Sequence, residues 1–166
     1  MGTRSAFPDR SDSDFQTKML AAVNEYRKHH GAPALTLDDT LVDYAKSRAA
    51  LMSTEEGLNH GHAGLDKRYG ENLYWGGGTG SAPEGVPAAA DNWYSEIKAY
   101  NFDDPSASDF DLVGHFTQLV WKATTKVGFG RVSGKGSKYY ETYVVANFLV
   151  PGNMEGQFAE NVGRPV

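Results

Sequence analysis

An α+β fold is predicted by three observations. Apolar residues recur every three or four positions in three segments of the first hundred residues, the signature of amphipathic helices. Two segments between residues 127 and 150 alternate instead, as strands do, and a Gly/Ser-rich connection joins them. The chain has 166 residues, enough for one domain with one substantial core and too few for two. The organisation read from this is a flexible lead over residues 1–13, a single domain over 14–162, and a short tail over 163–166.

The elements follow in order. Asp14 or Ser13 is the expected N-cap of a first helix, on which Phe15, Met19, Val23 and Tyr26 form one stripe. His29, His30 and Gly31, with Pro33 behind them, supply a basic last turn and a stop; both histidines read as helix-end residues favoured by the dipole. Asp38-Asp39-Thr40 starts a second helix with the stripe Leu41, Tyr44, Ala45, Arg48, Leu51 and Met52, ending near Thr54. Residues 55–69 read as a histidine-bearing loop, and 70–75 as a short extended segment. The glycine run after Trp75 lacks the Lys-Ser/Thr of a phosphate loop and the spacing of a dinucleotide fingerprint, so a surface loop is expected. Ala89, Ala90, Trp93, Ile97 and Tyr100 mark a third helix. Strands are expected over 127–132 and 139–150. In the second, Thr142, Val144, Ala146 and Phe148 share one face and Tyr143, Val145 and Leu149 the other, the pattern of a central strand covered on both sides. Phe158 and Val162 are candidate anchors for a polar C-terminal stretch.

Composition removes several function classes. Lys plus Arg is 16 and Asp plus Glu is 21, a net charge of −5. That opposes nucleic-acid binding and general attraction to an anionic membrane. There is no cysteine, which excludes disulfides, thiol catalysis and Cys-ligated metals. No signal-peptide core opens the chain, and no apolar run of about 18 residues occurs that could span a bilayer. Gly2 raises N-myristoylation, but the position that needs Ser or Thr holds Ala6, with Ser5 one place early.

The chemistry-bearing residues centre on His115, which lies in an otherwise apolar run from Leu112 to Trp121. A ring so placed is either a satisfied core residue or a group set for proton or metal chemistry. Glu96, three residues after Trp93, shares its face and can point inward. His60, His62 and Glu71 complete the candidates. Two imidazoles and one or two carboxylates could hold zinc with a coordination position open, or form a hydrogen-bonded polar cluster in a cleft wall. Spacing alone leaves both open, since no HExxH is present.

Four motifs then coincide. Gly114-His115-Phe116-Thr117-Gln118-Leu119-Val120-Trp121 resembles the principal signature of the CAP superfamily, which joins cysteine-rich secretory proteins, antigen 5 and pathogenesis-related 1 proteins. Gly70-Glu71-Asn72-Leu73 and the segment from Tyr143 to Asn153 resemble two further signatures, with Ala146 where secreted members carry cysteine. The stretch from Asn92 to Phe102 and the tail from Glu155 to Val162 are similar to the Golgi-associated plant pathogenesis-related protein 1 branch.

The resemblance implies a three-layer α-β-α sandwich with a mostly antiparallel sheet, and a cleft tetrad of His60, Glu71, Glu96 and His115. His62 competes with His60, which is preferred because Leu58-Asn59-His60 matches the branch pattern. Zinc would be held by His60 and His115, with Glu71 and Glu96 orienting the rings or ligating directly. The implied function is non-enzymatic: binding of lipids or sterols, homodimer formation, and peripheral attachment at the Golgi or another endomembrane, with secretion as the alternative. Two rival readings differ in class. One is a metal-dependent hydrolase with Glu71 or Glu96 as general base, without any Gly-x-Ser-x-Gly elbow to support a serine mechanism. The other is a protein-interaction scaffold using Trp93, Tyr94, Tyr100 and Phe102, although core packing is the reading for Trp93.

Overall fold

The computed structural model describes residues 4–55, 66–83 and 85–166. The first helix, α1 (Ser13–Lys28), is capped by Asp12, whose carboxylate accepts from Phe15 N at 2.8 Å. Asp12 takes the place expected of Ser13 or Asp14 because its backbone is extended while Ser13 is already helical. Phe15, Met19 and Val23 bury the predicted stripe. Arg27 lies on it too and is fully buried. Its guanidinium donates to the carbonyls of Pro33, Leu119, Trp121 and Thr124, and burial away from any carboxylate pulls its pKa down to about 10. Gly31, at φ +66°, ends the helix in the left-handed region that glycine enters without strain.

A two-residue strand, β1 (Thr36–Leu37), leads into α2 (Asp39–Thr54), which Asp38 caps through Leu41 N. β2 spans Gly70–Gly78, α3 Ala88–Tyr94, and a 3₁₀ turn Ser95–Ala99. α4 (Phe110–Leu119), β3 (Lys126–Lys135), β4 (Tyr140–Leu149) and α5 (Phe158–Asn161) follow. The third helix is therefore shorter than its apolar spacing predicts and tightens at Ser95. The strands order β1-β3-β4-β2, antiparallel except for the β1/β3 pair. β4 is central, as its two apolar faces require.

The expected glycine loop is instead strand. Gly76, Gly77 and Gly78 pair with Thr142, Glu141 and Tyr140. A side chain at Gly76 or Gly77 would meet the rings of Tyr74 and Trp75, so the glycines make room for aromatic neighbours. A loop reading fails because β4 is long enough to supply partners for the whole run.

Layers form on both faces of the sheet. Phe129, Val144, Ala146 and Phe148 pack with residues of α1, α3 and α4, while Val132, Tyr143 and Val145 pack with Ala45, Ala49 and Met52 of α2. The result is the α-β-α sandwich. α2 lies almost on the strand backbone: a Cβ at Gly128 would fall 2.2 Å from the carbonyl carbon of Leu41, and one at Gly130 2.3 Å from the carbonyl oxygen of Ala45. Only glycine permits that approach. No helix among the described residues is long and apolar enough to cross a membrane.

The first and last described segments are both integrated. Residues 4–11, expected as a loose lead, cross the edge of β3 instead. Asp9 bridges Val132, Ser133 N donates to Pro8 O, and Ser11 Oγ receives the Arg131 N–H. Arg4 donates to Glu141, to Tyr143 Oη and to Ser53 O. These contacts offset the conformational freedom that a polar lead would otherwise keep. At the other end, Gly163 O faces His30 Nδ1 at 2.8 Å, and Val166 N donates to His29 O. His29 stays exposed beside Glu25, but His30 is buried, with Nε2 2.8 Å from Tyr94 Oη.

Two outcomes follow. Gly128→Ala, which drives a methyl into α2, will cost about 1–3 kcal/mol, while Gly80→Ala, in open space, will stay within about 0.5 kcal/mol, as read by thermal unfolding. Burial holds the His30 pKa below its ordinary 6.5, with the Gly163 carbonyl opposing in part. The fold thus favours the neutral ring. Its stabilisation is complete above the unfolded value and is lost as pH falls through and below about 6.5. His30→Gln will flatten that portion of the stability–pH curve.

Candidate functional site

The site is built on α4, whose backbone is held from three sides. From the 3₁₀ turn, Glu96 Oε1 accepts from His115 N at 2.8 Å and Phe116 N at 3.0 Å, while Oε2 accepts from His115 Nδ1 at 2.9 Å. From β2, Asn72 Nδ2 donates to His115 O at 3.0 Å. From the loop after β4, Asn153 Nδ2 donates to Gly114 O at 2.9 Å and its Oδ1 receives the Thr117 hydroxyl. Asn153 adopts φ 60°, a conformation that asparagine tolerates better than most residues. His115 therefore sits on a fixed backbone with its Nδ1–H aimed at a carboxylate, which directs the Nε2 lone pair outward.

Gln118, one turn further on, explains two of the motif glycines. Its amide lies between Gly70 and Gly152: a Cβ on Gly70 would stand 2.0 Å from Oε1, and one on Gly152 2.8 Å from Nε2. Gly152 N donates to that Oε1, and Nε2 donates to Thr124 Oγ1. The Gly-Glu-Asn-Leu and Pro-Gly-Asn segments are thereby locked to α4 at one point.

Glu71 has a different environment from Glu96. Arg48 Nε and NH2 reach Glu71 Oε2 and Oε1, each at 2.8 Å, and Asn147 Nδ2 adds a contact of 3.0 Å to Oε2. Arg48 and Glu71 are buried, at 3% and 2% side-chain exposure, so this is a desolvated bidentate pair. The carboxylate raises the Arg48 pKa above its ordinary value, against the opposing effect of burial.

Two hollows meet here. Glu71, Asn72, Asp111, Gly114 and His115 line a polar one of about 280 Å³. Tyr100, Val113, Phe158 and Glu155 line an apolar one of about 420 Å³. Phe110 and Asn153 belong to both walls. The structure thus gathers Glu71 and His115 on one hollow and sets Glu96 behind the His115 ring. His60 and His62 lie outside the described residues. Trp93 is fully buried and donates to Leu73 O. Tyr94 stacks on Tyr26, and Phe102 stacks on His30. The aromatics considered for partner contact are thus engaged in packing.

Sequence reading missed Arg48, Asn72, Asn147 and Asn153 as parts of the site. Arg48 left a signal as a charged residue on an otherwise apolar helical stripe, and the three asparagines stand inside the motif segments. Among the described residues no group of three or more His, Cys, Asp or Glu side chains is arranged to hold a metal.

A three-layer sandwich with a helix-borne Gly-His-Phe-Thr and a carboxylate behind its histidine defines a CAP domain. The chain belongs to the CAP, or cysteine-rich secretory protein, family, whose model matches residues 20–148. It is 37% identical over 157 residues to the human Golgi-associated plant pathogenesis-related protein 1, covering 93% of this chain and 96% of that protein. It is 34% identical over 154 residues to pathogenesis-related protein PR-1 of Medicago truncatula, covering 93% and 82%. Among solved structures, BmVAL-1 matches at a TM-score of 0.71 and 21% identity over 87% of this chain and 81% of its own. NaASP2 with Zn2+ matches at 0.60 and 20% over 96% and 88%.

Replacing Arg48 with Met will leave the buried Glu71 carboxylate without its cation and cost about 3–5 kcal/mol in denaturant unfolding. Adding Glu71→Leu will restore much of that loss, because no buried charge remains.

Proposed function

We propose that this protein is a non-enzymatic binding module that takes up lipid or sterol molecules and attaches peripherally to membranes. The observation that carries this reading is the apolar hollow beside the polar one. Its volume of about 420 Å³ falls in the range of ordinary ligand sites, and half of its lining residues are aromatic or aliphatic. Phe110, Leu112 and Met154, in or next to its walls, are 53%, 56% and 46% exposed and offer an apolar rim to a bilayer interface. The name of the human relative supports an endomembrane setting such as the Golgi, while pathogenesis-related relatives support secretion as the alternative.

The polar hollow is proposed as a divalent-metal site, with zinc as the candidate among the metals that imidazole suits. The donor set fits in one respect. With Nδ1–H given to Glu96, His115 would present Nε2, the arrangement usual for a metal-bound histidine. His60 is the proposed second ligand. Glu71 fits less well as a ligand, because Arg48 and Asn147 already occupy its oxygens. The same contacts weaken the hydrolase reading, since a carboxylate held by an arginine is a poor general base. A bound zinc would act as a Lewis acid and a structural tie; the protein's own share is to fix the ring and hold the hollow open. A homodimer stays part of the proposal, with sedimentation as its measurement.

Two measurements test the reading. In flotation with mixed phospholipid and sterol vesicles, the protein will rise with lipid; failure across salt and zinc concentrations would refute lipid binding. In calorimetry with zinc, His115→Ala and His60→Ala will each lower affinity by at least about tenfold, and unchanged binding would move the metal elsewhere.

A further inference from the structure

The apolar hollow carries information about the head group of its ligand. Most polar atoms in its wall are committed within the protein. Ser106 Oγ donates to Asp104, Ser108 Oγ accepts from Asn101 N, and the Asn153 amide is held by Gly114 and Thr117. Two polar groups stand apart. The Tyr100 hydroxyl is buried without a hydrogen-bond partner in a residue only 7% exposed, and as both donor and acceptor it favours neither sign of head group. Glu155 is the single charged residue in the wall, and no Lys, Arg or His lines it among the described residues.

The surroundings add to this sign. Asp111 lines the adjoining hollow, and Asp109 caps α4 immediately before Phe110. An anionic head would therefore face carboxylate and no cation. A cationic head would find a carboxylate in the wall.

We propose that the hollow selects single-chain amphiphiles with an ammonium head, long-chain amines, over their carboxylate counterparts. The chain lies against Phe110, Val113 and Phe158, and the head offers its N–H donors to Glu155. This rests on the lipid-binding reading and adds the charge of the head group to it. It also separates this hollow from the surface-wide effect of a net charge of −5, because the selection is assigned to one removable carboxylate.

Calorimetric titration of the full chain with dodecylammonium, dodecanol and dodecanoate, each below its micelle concentration, tests it. The ammonium will bind about tenfold more tightly than the carboxylate at low salt, and the gap will shrink as salt rises. Glu155→Gln, at an exposed position, will reduce the gap to about threefold or less. Equal affinities for all three, tightest binding of dodecanoate, or a gap that survives Glu155→Gln would each overturn the head-group proposal while lipid binding stands. No binding of any chain would remove the lipid reading itself.

Discussion

One carboxylate organises this molecule's working face. Glu96 accepts two consecutive main-chain N–H groups of α4 and the ring N–H of His115, so a single side chain sets both the helix position and the ring orientation. Three donors to one carboxylate also satisfy most of its hydrogen-bonding capacity without a cation. The asparagines at 72 and 153 brace the same stretch of α4 from opposite sides. The histidine is thus presented by a frame that has little freedom to relax around it.

The two glutamates show how environment divides identical chemistry. Glu96 faces backbone N–H groups and an imidazole, and remains at the disposal of the hollow through that ring. Glu71 is spent on Arg48 and Asn147, so its charge is cancelled inside the protein. Removing solvent from a bidentate ion pair is expensive unless geometry is good and remaining sites are bonded, and both conditions hold here. What the polar hollow offers a ligand is therefore closer to an oriented imidazole than to a pair of free carboxylates.

Much of the fold was legible in the sequence because its signals are local. The stripe of α1, the paired faces of β4 and the stop at Gly31 each follow from spacing or backbone preference within a few residues. The failures are equally physical. Gly76–Gly77–Gly78 look like a loop by composition, and only the reach of β4 makes them strand. The helix through Trp93 tightens at Ser95, and Glu96 keeps the inward direction its spacing from Trp93 predicts, but its partner on α4 lies 19 residues further on, beyond any local pattern. Arg48 and Glu71 meet across 23 residues, and Asn147 and Glu71 across 76, so no local pattern announces them. His115 and Glu96 stood out from their own surroundings and Glu71 was a further candidate, the motif resemblance is what joined them into one cleft, and Arg48 was hinted at only by its place on an apolar stripe.

The segment ahead of α1 has one more consequence. Among the described residues β1 shields β3 at Lys126 and Val127, and further along residues 8–11 occupy the hydrogen-bonding positions around Arg131, Val132 and Ser133. A sheet border left open in this way is a template for a second chain. The N-terminal segment thus acts as a built-in guard against aggregation, and a molecule clipped just after Arg10 would carry an adhesive rim that the intact one keeps covered.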